Sequence, residues 1–291
     1  MDKTDTKTTA ATTAADDIRP DVLNYDDLRR MVPALDGHPK LVERLLRFLS
    51  VDKVNAVHAK CCDTPGPMFV KRLLLDEFHI RLRIDGEDVL DNLPEGAFIT
   101  VSNHPFGALD GIALIHIVAG RRPEYKVMVN MILNKITAMR PNFIAVDAWA
   151  SDDPARRAVS VQGIRTALRQ LRDGQPVGFF PAGAMSKTTL RHGLQDRPWQ
   201  KSILDIIARA KVPVIPIFFH GSNSWWCNFL GHACWPARSL RLPAEVFRKV
   251  GTEMHISVGR PISVDDQARF TTSEELGAYL REKTYELRTL K

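Results

Sequence analysis

From residue 78 onward, short apolar runs alternate with segments in which apolar residues return every three or four positions. The runs are FHIRLRI (78–84), AFITV (97–101), KVMVN (126–130), NFIAV (142–146), PVGFF (176–180), PVIPIFF (213–219) and EMHISV (253–258). Several are apolar on both faces, as the buried strands of a largely parallel sheet are. Between them, DDPARRAVSVQGIRTALRQLRDG (152–174), with Gly174 placed to cap its end, and WQKSILDIIARAK (199–211) read as helices. A last helix, 272–290, opens on Thr272 or Ser273 followed by acidic residues, the pattern of a capping box. This alternation predicts an α/β fold: a mixed, largely parallel sheet of about seven strands flanked by helices.

Ahead of residue 78 the pattern is helical. Asn24 is placed to cap a helix starting NYDDLRRMV, and GPMFVKRLLLDEF (66–78) predicts another. HPKLVERLLRFLSV puts Leu41, Leu45, Leu46, Phe48 and Leu49 on one stripe, with Lys40, Glu43, Arg44 and Arg47 on the other side. That stripe packs on a core or docks on anionic lipid. Residues 1–17 are Thr, Ala and Asp with almost nothing to bury. The chain therefore divides into a disordered tail (1–23), an N-terminal helical segment (24–77) and an α/β domain (78–291).

Composition changes this picture little. With 291 residues, 44% hydrophobic and 25% charged, the chain can bury a core without disulfides or metal. The four cysteines, Cys61, Cys62, Cys227 and Cys234, match no zinc spacing well, although Cys227, His232 and Cys234 are three conceivable ligands. Reduced thiols and no metal are expected. The net charge of +6 favours an anionic partner: a phospholipid surface, an acidic carrier protein or nucleic acid. The charge is spread along the chain and no recognition motif accompanies it, so nucleic acid is not expected. No apolar run reaches the roughly 20 residues that span a bilayer, and the N-terminus has no signal-peptide core. Any membrane contact is expected to be peripheral and cytosolic.

Three stretches carry candidate chemistry. In TVSNHPFGALDGIAL (100–114), His104 follows a predicted strand and Asp110 opens the next helix, with Pro105 and Gly107 between them. A folded turn can bring the carboxylate to one ring nitrogen, leaving the other free as a general base. Taken alone, the pair reads equally as a loop histidine beside a helix-capping aspartate. In GFFPAGAMSK (178–187), a buried strand runs into Ala182, Gly183 and Ala184, with Ser186, Lys187 and Arg191 after them. Small residues with exposed amides and nearby cations suit a phosphate or a developing oxyanion, and an ordinary strand-to-loop transition reads the same way. The third stretch, VPVIPIFFHGSNSWWCNFLGHACW (212–235), ends in Trp225, Trp226, Phe229 and Trp235. These aromatics are core or interface with equal claim.

NHPFGALDG, then FFPAGAMS about eighty residues later, then VPVIPIFFHGSNS, together resemble the glycerolipid (lysophospholipid) acyltransferase superfamily. More narrowly they resemble its hemolysin-like bacterial branch, related to the enzymes that complete ornithine and glycine lipids. The resemblance covers roughly residues 65–262 in matching order. It implies O-acyl transfer to a lyso-lipid hydroxyl, with His104 as general base and Asp110 orienting it. The implied donor is a thioester of acyl carrier protein or coenzyme A, used as co-substrate, with no other cofactor. Asn103, Gly107, Gly183, Ser186, Lys187 and Arg191 are the implied substrate-binding residues. The implied location is the cytosolic face of the inner membrane.

Three departures stand out. Five residues separate His104 from Asp110, as in the hemolysin-like branch, where most of the superfamily has four. Ala182 and Ala184 occupy positions that relatives give to an acid, and Val146 and Asp147 stand where relatives carry an arginine. Two other functions stay open on this pattern: a non-catalytic lipid- or carrier-binding relative, and a thioesterase or lysophospholipase. The absence of a G-x-S-x-G elbow weighs against a serine hydrolase.

Overall fold

The computed structural model describes residues 18–147, 153–189, 193–233 and 235–289. The described residues include nine strands: β1 (Arg81–Asp85), β2 (Ile99–Ser102), β3 (Lys126–Asn130), β4 (Phe143–Val146), β5 (Val177–Phe179), β6 (Lys187–Thr189), β7 (Gly193–Gln195), β8 (Val214–Phe219) and β9 (Glu253–Val258). Seven form one sheet in the order β1-β9-β8-β2-β5-β3-β4. These seven are the predicted apolar runs: β3 and β9 match theirs end to end, and the others differ by one to three residues at their ends. All neighbours pair in parallel except β8 and β9. Strands β2, β5 and β8 are buried along their whole length, which is why they read as continuous apolar runs rather than as alternation.

Helices cover both faces. They are α1 (Tyr25–Met31), α2 (Pro39–Phe48), α3 (Val51–Cys61), α4 (Pro67–Lys71), α5 (Glu87–Asp91), α6 (Ala108–Leu114), α7 (Pro154–Arg172), α8 (Lys201–Ala210), α9 (Trp225–Ala233), α10 (Trp235–Phe247), α11 (Val264–Gln267) and α12 (Ser273–Glu286). One apolar core joins α4, the helical turn that continues it over Arg72–Glu77, and α6 to the sheet through Phe69, Leu74, Leu109, Leu114, Ile217 and Phe219. The other joins α7, α8 and α12 to the opposite face through Ala167, Ile203, Ile207 and Leu280.

Local signals account for the helix ends. Asn24 and Thr272 close capping boxes with Asp27 and Glu275. Gly174, at φ +78°, ends α7 as the glycine-capped pattern requires. The predicted helix at 66–78 changes character midway: α4 passes into a π-helical turn over Arg72–Glu77. Pro216 lies inside β8, a central strand, where a missing N–H is normally excluded. Here the β8–β9 ladder covers only Ile217 to Phe219, and Pro216 faces Gly259, whose amide donates to the Pro216 carbonyl.

The stretch 1–17 lies outside the described residues. Residues 18–23, grouped with that tail on sequence, pack onto the helical segment. Val22 is buried, and the amides of Val22 and Leu23 both donate to Asn55 Oδ1. The amphipathic stripe of α2 divides. Val42, outside the stripe read from sequence, is buried and Leu45 is half-buried, whereas Leu41 and Phe48 are exposed, Phe48 to 82%. The hairpin β6–β7 had no sequence counterpart, because three-residue strands carry too little periodicity to register.

Candidate active site

The carboxyl ends of β2, β5 and β8 lie side by side, where open α/β sheets place their functional loops. β2 ends at Ser102, and the chain turns through Asn103 to Gly107 into α6. Asn103 clasps the two central strands: its Nδ2 donates to the Phe219 carbonyl at 2.9 Å and its Oδ1 accepts the Phe219 amide at 2.7 Å. Its amide group is thus engaged by the scaffold, at the edge of the site.

The turn brings His104 and Asp110 together. His104 Nδ1 lies 2.9 Å from Asp110 Oδ2. The approach is bent, so no straight N–H···O bond forms at that nitrogen; catalytic contacts of this kind often straighten only with substrate bound. The same Oδ2 accepts the amides of Phe106 and Gly107, each at 2.9 Å. One carboxylate therefore caps α6, closes the turn and faces the imidazole. Asp110 is fully buried. Burial pushes its carboxyl above the usual carboxylate range, opposed by His104 and by the two amides. A buried carboxylate held this way gains most when its neighbour becomes a cation, which is what a general base does in the transition state.

Gly107 is required by this geometry. It sits at φ +82°, and a Cβ there would come within 2.8 Å of Met185 Sδ. Met185 and Leu242 cover the turn from the β5–β6 loop and from α10. The His104 ring stacks on Phe180, with centroids 4.1 Å apart.

The loop after β5 is bound to the same turn. Ser186 N donates to the His104 carbonyl at 2.8 Å, and Ser186 Oγ donates to Asp196 Oδ1 at 2.6 Å. Asp196 Oδ1 also accepts the His104 amide at 3.2 Å. Asp196 is buried, which raises its carboxyl, and its own amide donates to Tyr285 Oη on α12. Sequence reading missed Asp196, because it is 92 residues from His104 and stands in no motif. A buried acid therefore reaches this loop although Ala182 and Ala184 bring none. Gly183 turns the loop at φ +63° and its amide is engaged by Phe180. Among the described residues, the amides of Ala182, Ala184 and Met185 meet no acceptor, and such amides are the kind of donor an oxyanion takes. Lys187 opens β6, half-buried, and burial holds its ammonium below the ordinary lysine range, with Arg197 and Arg238 adding to the effect. Arg191 lies outside the described residues, as does Cys234.

Two further features carry no acyl-transfer chemistry. Asp85, His220 and His255 place one ligand atom each within 4.8 Å of one another. The two rings stack nearly parallel at 3.9 Å, so their lone pairs run side by side rather than converge. Asp85 Oδ2 is already hydrogen-bonded, to His255 Nε2 and to Ser257 Oγ. A recess beside the edge strand β4, lined by Phe143, Gln162 and Thr166 among others, has no titratable side chain in its wall.

Known proteins similar to this chain are acyltransferases. The chain is 26% identical over 260 residues to a lyso-glycine lipid O-acyltransferase of Bacteroides thetaiotaomicron, covering 85% of this chain and 89% of the relative. It is 24% identical over 208 residues to a second lyso-glycine lipid O-acyltransferase, from Phocaeicola vulgatus, covering 68% and 71%. The crystal structure of the 1-acyl-sn-glycerophosphate (LPA) acyltransferase PlsC from Thermotoga maritima superposes with a TM-score of 0.51 at 16% identity, over 85% of this chain and 87% of that one. That likeness supports the fold. The profile of the family described as Acyltransferase matches residues 29–290, nearly the whole chain. The buried His–Asp turn thus sits in a chain that belongs to the acyltransferase family.

Proposed function

We propose that this acyltransferase moves a fatty acyl group from a thioester to the hydroxyl of a lyso-lipid, of the lyso-glycine lipid class. The observation that carries the reading is the His104–Asp110 contact at the carboxyl end of β2. His104 Nδ1 faces the buried carboxylate, so Nε2 is the nitrogen left for the acceptor. Nε2 takes the hydroxyl proton as the oxygen attacks the thioester carbonyl carbon. The carbon–sulfur bond breaks as the tetrahedral centre collapses, and the imidazolium returns its proton to the leaving thiolate. Asp110 stabilises the imidazolium in between. The acyl group goes directly from donor to acceptor. The names of the two curated relatives support the acceptor class, and the basic chain suits either an acyl carrier protein or coenzyme A as donor. The test is product lipidomics after expression in a host that supplies lyso-glycine lipid. The lyso form is expected to fall and its O-acylated product to appear. Free fatty acid without acylated lipid would mean hydrolysis instead, and lipid binding without thiol release would mean a non-catalytic relative.

The reading places the chain peripherally on an anionic membrane surface, on the cytosolic face of the inner membrane. No helix among the described residues is long and apolar enough to cross a bilayer. On α9, Trp225 and Trp226 are 67% and 60% exposed, with Phe229 stacked on Trp225. Amphipathic rings of this kind favour the headgroup region. Trp225→Ala with Trp226→Ala is expected to lower partition onto anionic vesicles at least about tenfold, since about 1.4 kcal/mol of lost apolar contact has that effect. Unchanged sedimentation with vesicles would rule α9 out as the contact.

A further inference from the structure

We propose that Arg238, aided by Lys187, forms a subsite for a carboxylate on the acceptor head, beside the His104 turn. The proposal rests on the acyl-transfer reading above. Arg238 lies on α10 and is only 4% exposed. Its Nη2 donates to the Ser186 carbonyl at 2.9 Å, and the buried Cys227 thiol lies against the same guanidinium. Its Nε is buried without a hydrogen-bond partner. Among the described residues no carboxylate pairs with it. The buried acid nearest that loop, Asp196 just after β7, takes the Ser186 hydroxyl and the His104 amide instead.

A buried guanidinium with no counter-ion is costly, and folded chains rarely keep one without a use for it. The position indicates the use. Ser186 accepts from Arg238 through its carbonyl while its amide donates to the His104 carbonyl. One residue of main chain thus separates the cation from the base. One helical turn further along α10, Leu242 presses on Gly107, so the helix that holds the guanidinium also covers the catalytic turn. Lys187 follows Ser186 directly and brings a second cation within electrostatic reach of Arg238, with Arg197 a third.

The ligand is identified by its chemistry. A guanidinium offers adjacent N–H groups in a planar fork that matches the two oxygens of a carboxylate. A lyso-lipid whose head is an N-acylated glycine carries such a carboxylate a few bonds from its hydroxyl. The phosphate of a donor thioester is the other anion available, but it stands at the far end of the pantetheine arm from the reacting carbon. A cation one residue from the base is placed for the acceptor.

The test uses the full chain and two acceptors identical except for the head, free glycine carboxylate or glycinamide, with one thioester donor. The wild-type protein is expected to show an acceptor KM at least about tenfold lower for the acid. Arg238→Gln is expected to collapse that ratio to within about twofold, leaving donor KM unmoved, and Lys187→Gln to narrow it by about threefold. Equal KM values in the wild-type protein overturn the proposal, as does an Arg238→Gln variant whose defect lies in donor KM. If Arg238→Gln fails to fold, Arg238→Lys, which keeps the charge and loses the fork, and the variant Lys187→Gln at the half-buried lysine decide in its place, by the same narrowing of the KM ratio. If the wild-type protein acylates neither acceptor, the acyl-transfer reading fails. Calorimetric binding of N-acylglycine against N-acylglycinamide then tests the subsite alone, and equal affinities overturn it.

Discussion

His104→Ala is expected to lower kcat for acyl transfer by about 10²–10⁴-fold, the share that a positioned general base supplies. The fold is expected to survive. Both hydrogen bonds that tie this residue to the chain around it use its main chain: its amide donates to Asp196, just after β7, and its carbonyl accepts from Ser186 on the β5–β6 loop. Alanine keeps them. The losses are the ring's stacking on Phe180 and its contact with Asp110. Steady-state turnover with a thiol-trapping reagent, read beside a thermal melt, checks both halves. Added imidazole is expected to restore part of the rate, since the vacated space lies next to Asp110. Turnover close to wild type in a folded variant would end the general-base mechanism.

The parts of this site that were legible in the sequence are those the chain brings together locally. His104 and Asp110 are six residues apart on one turn, and Gly107 between them supplies the positive φ and the space that Met185 occupies. The seven sheet strands were legible because burial on both faces forces uninterrupted apolar runs. Asp196 and Arg238 were not legible, for the same physical reason. Each is recruited by tertiary packing, Asp196 across 92 residues to His104 and Arg238 across 52 to Ser186. Neither carries a local pattern. The same limit applies to Ser186 and Asn103. The family resemblance implied substrate contacts for both, whereas their polar groups are engaged by Asp196 and by the Phe219 main chain. Residue type announced polarity, and only the fold decided its partner. The Trp225–Trp226–Phe229 cluster, undecided between core and interface on sequence, is exposed. Exposure of these three large rings, beside the loop that carries Asn223 against Phe106, takes them out of the core.

Asp110→Asn is expected to separate activity from stability. The amide is nearly the shape of the acid, and its oxygen can still accept from Phe106 and Gly107. What disappears is the negative charge facing His104. Without it the imidazolium is no longer stabilised, and kcat is expected to fall by about two to four orders of magnitude. Stability moves the other way. Burial holds the Asp110 carboxyl above its ordinary range, so at neutral pH the folded chain bears the cost of an ionised buried acid that the unfolded chain does not. A raised carboxyl pKa contributes stability that grows as pH falls through the folded value and is complete below the unfolded one. Asparagine removes that dependence. At neutral pH Asp110→Asn is therefore expected to melt at or above the wild-type temperature, and the gap is expected to close on acidification as the wild-type acid takes up its proton. Asp110→Ala is the contrasting variant. It strands the Phe106 and Gly107 amides, each an unmade buried hydrogen bond worth roughly 1–3 kcal/mol, and its melting temperature is expected to drop. A lower melting point for Asp110→Asn than for the wild type, at neutral pH, would mean that the carboxylate holds the turn by its charge rather than in spite of it.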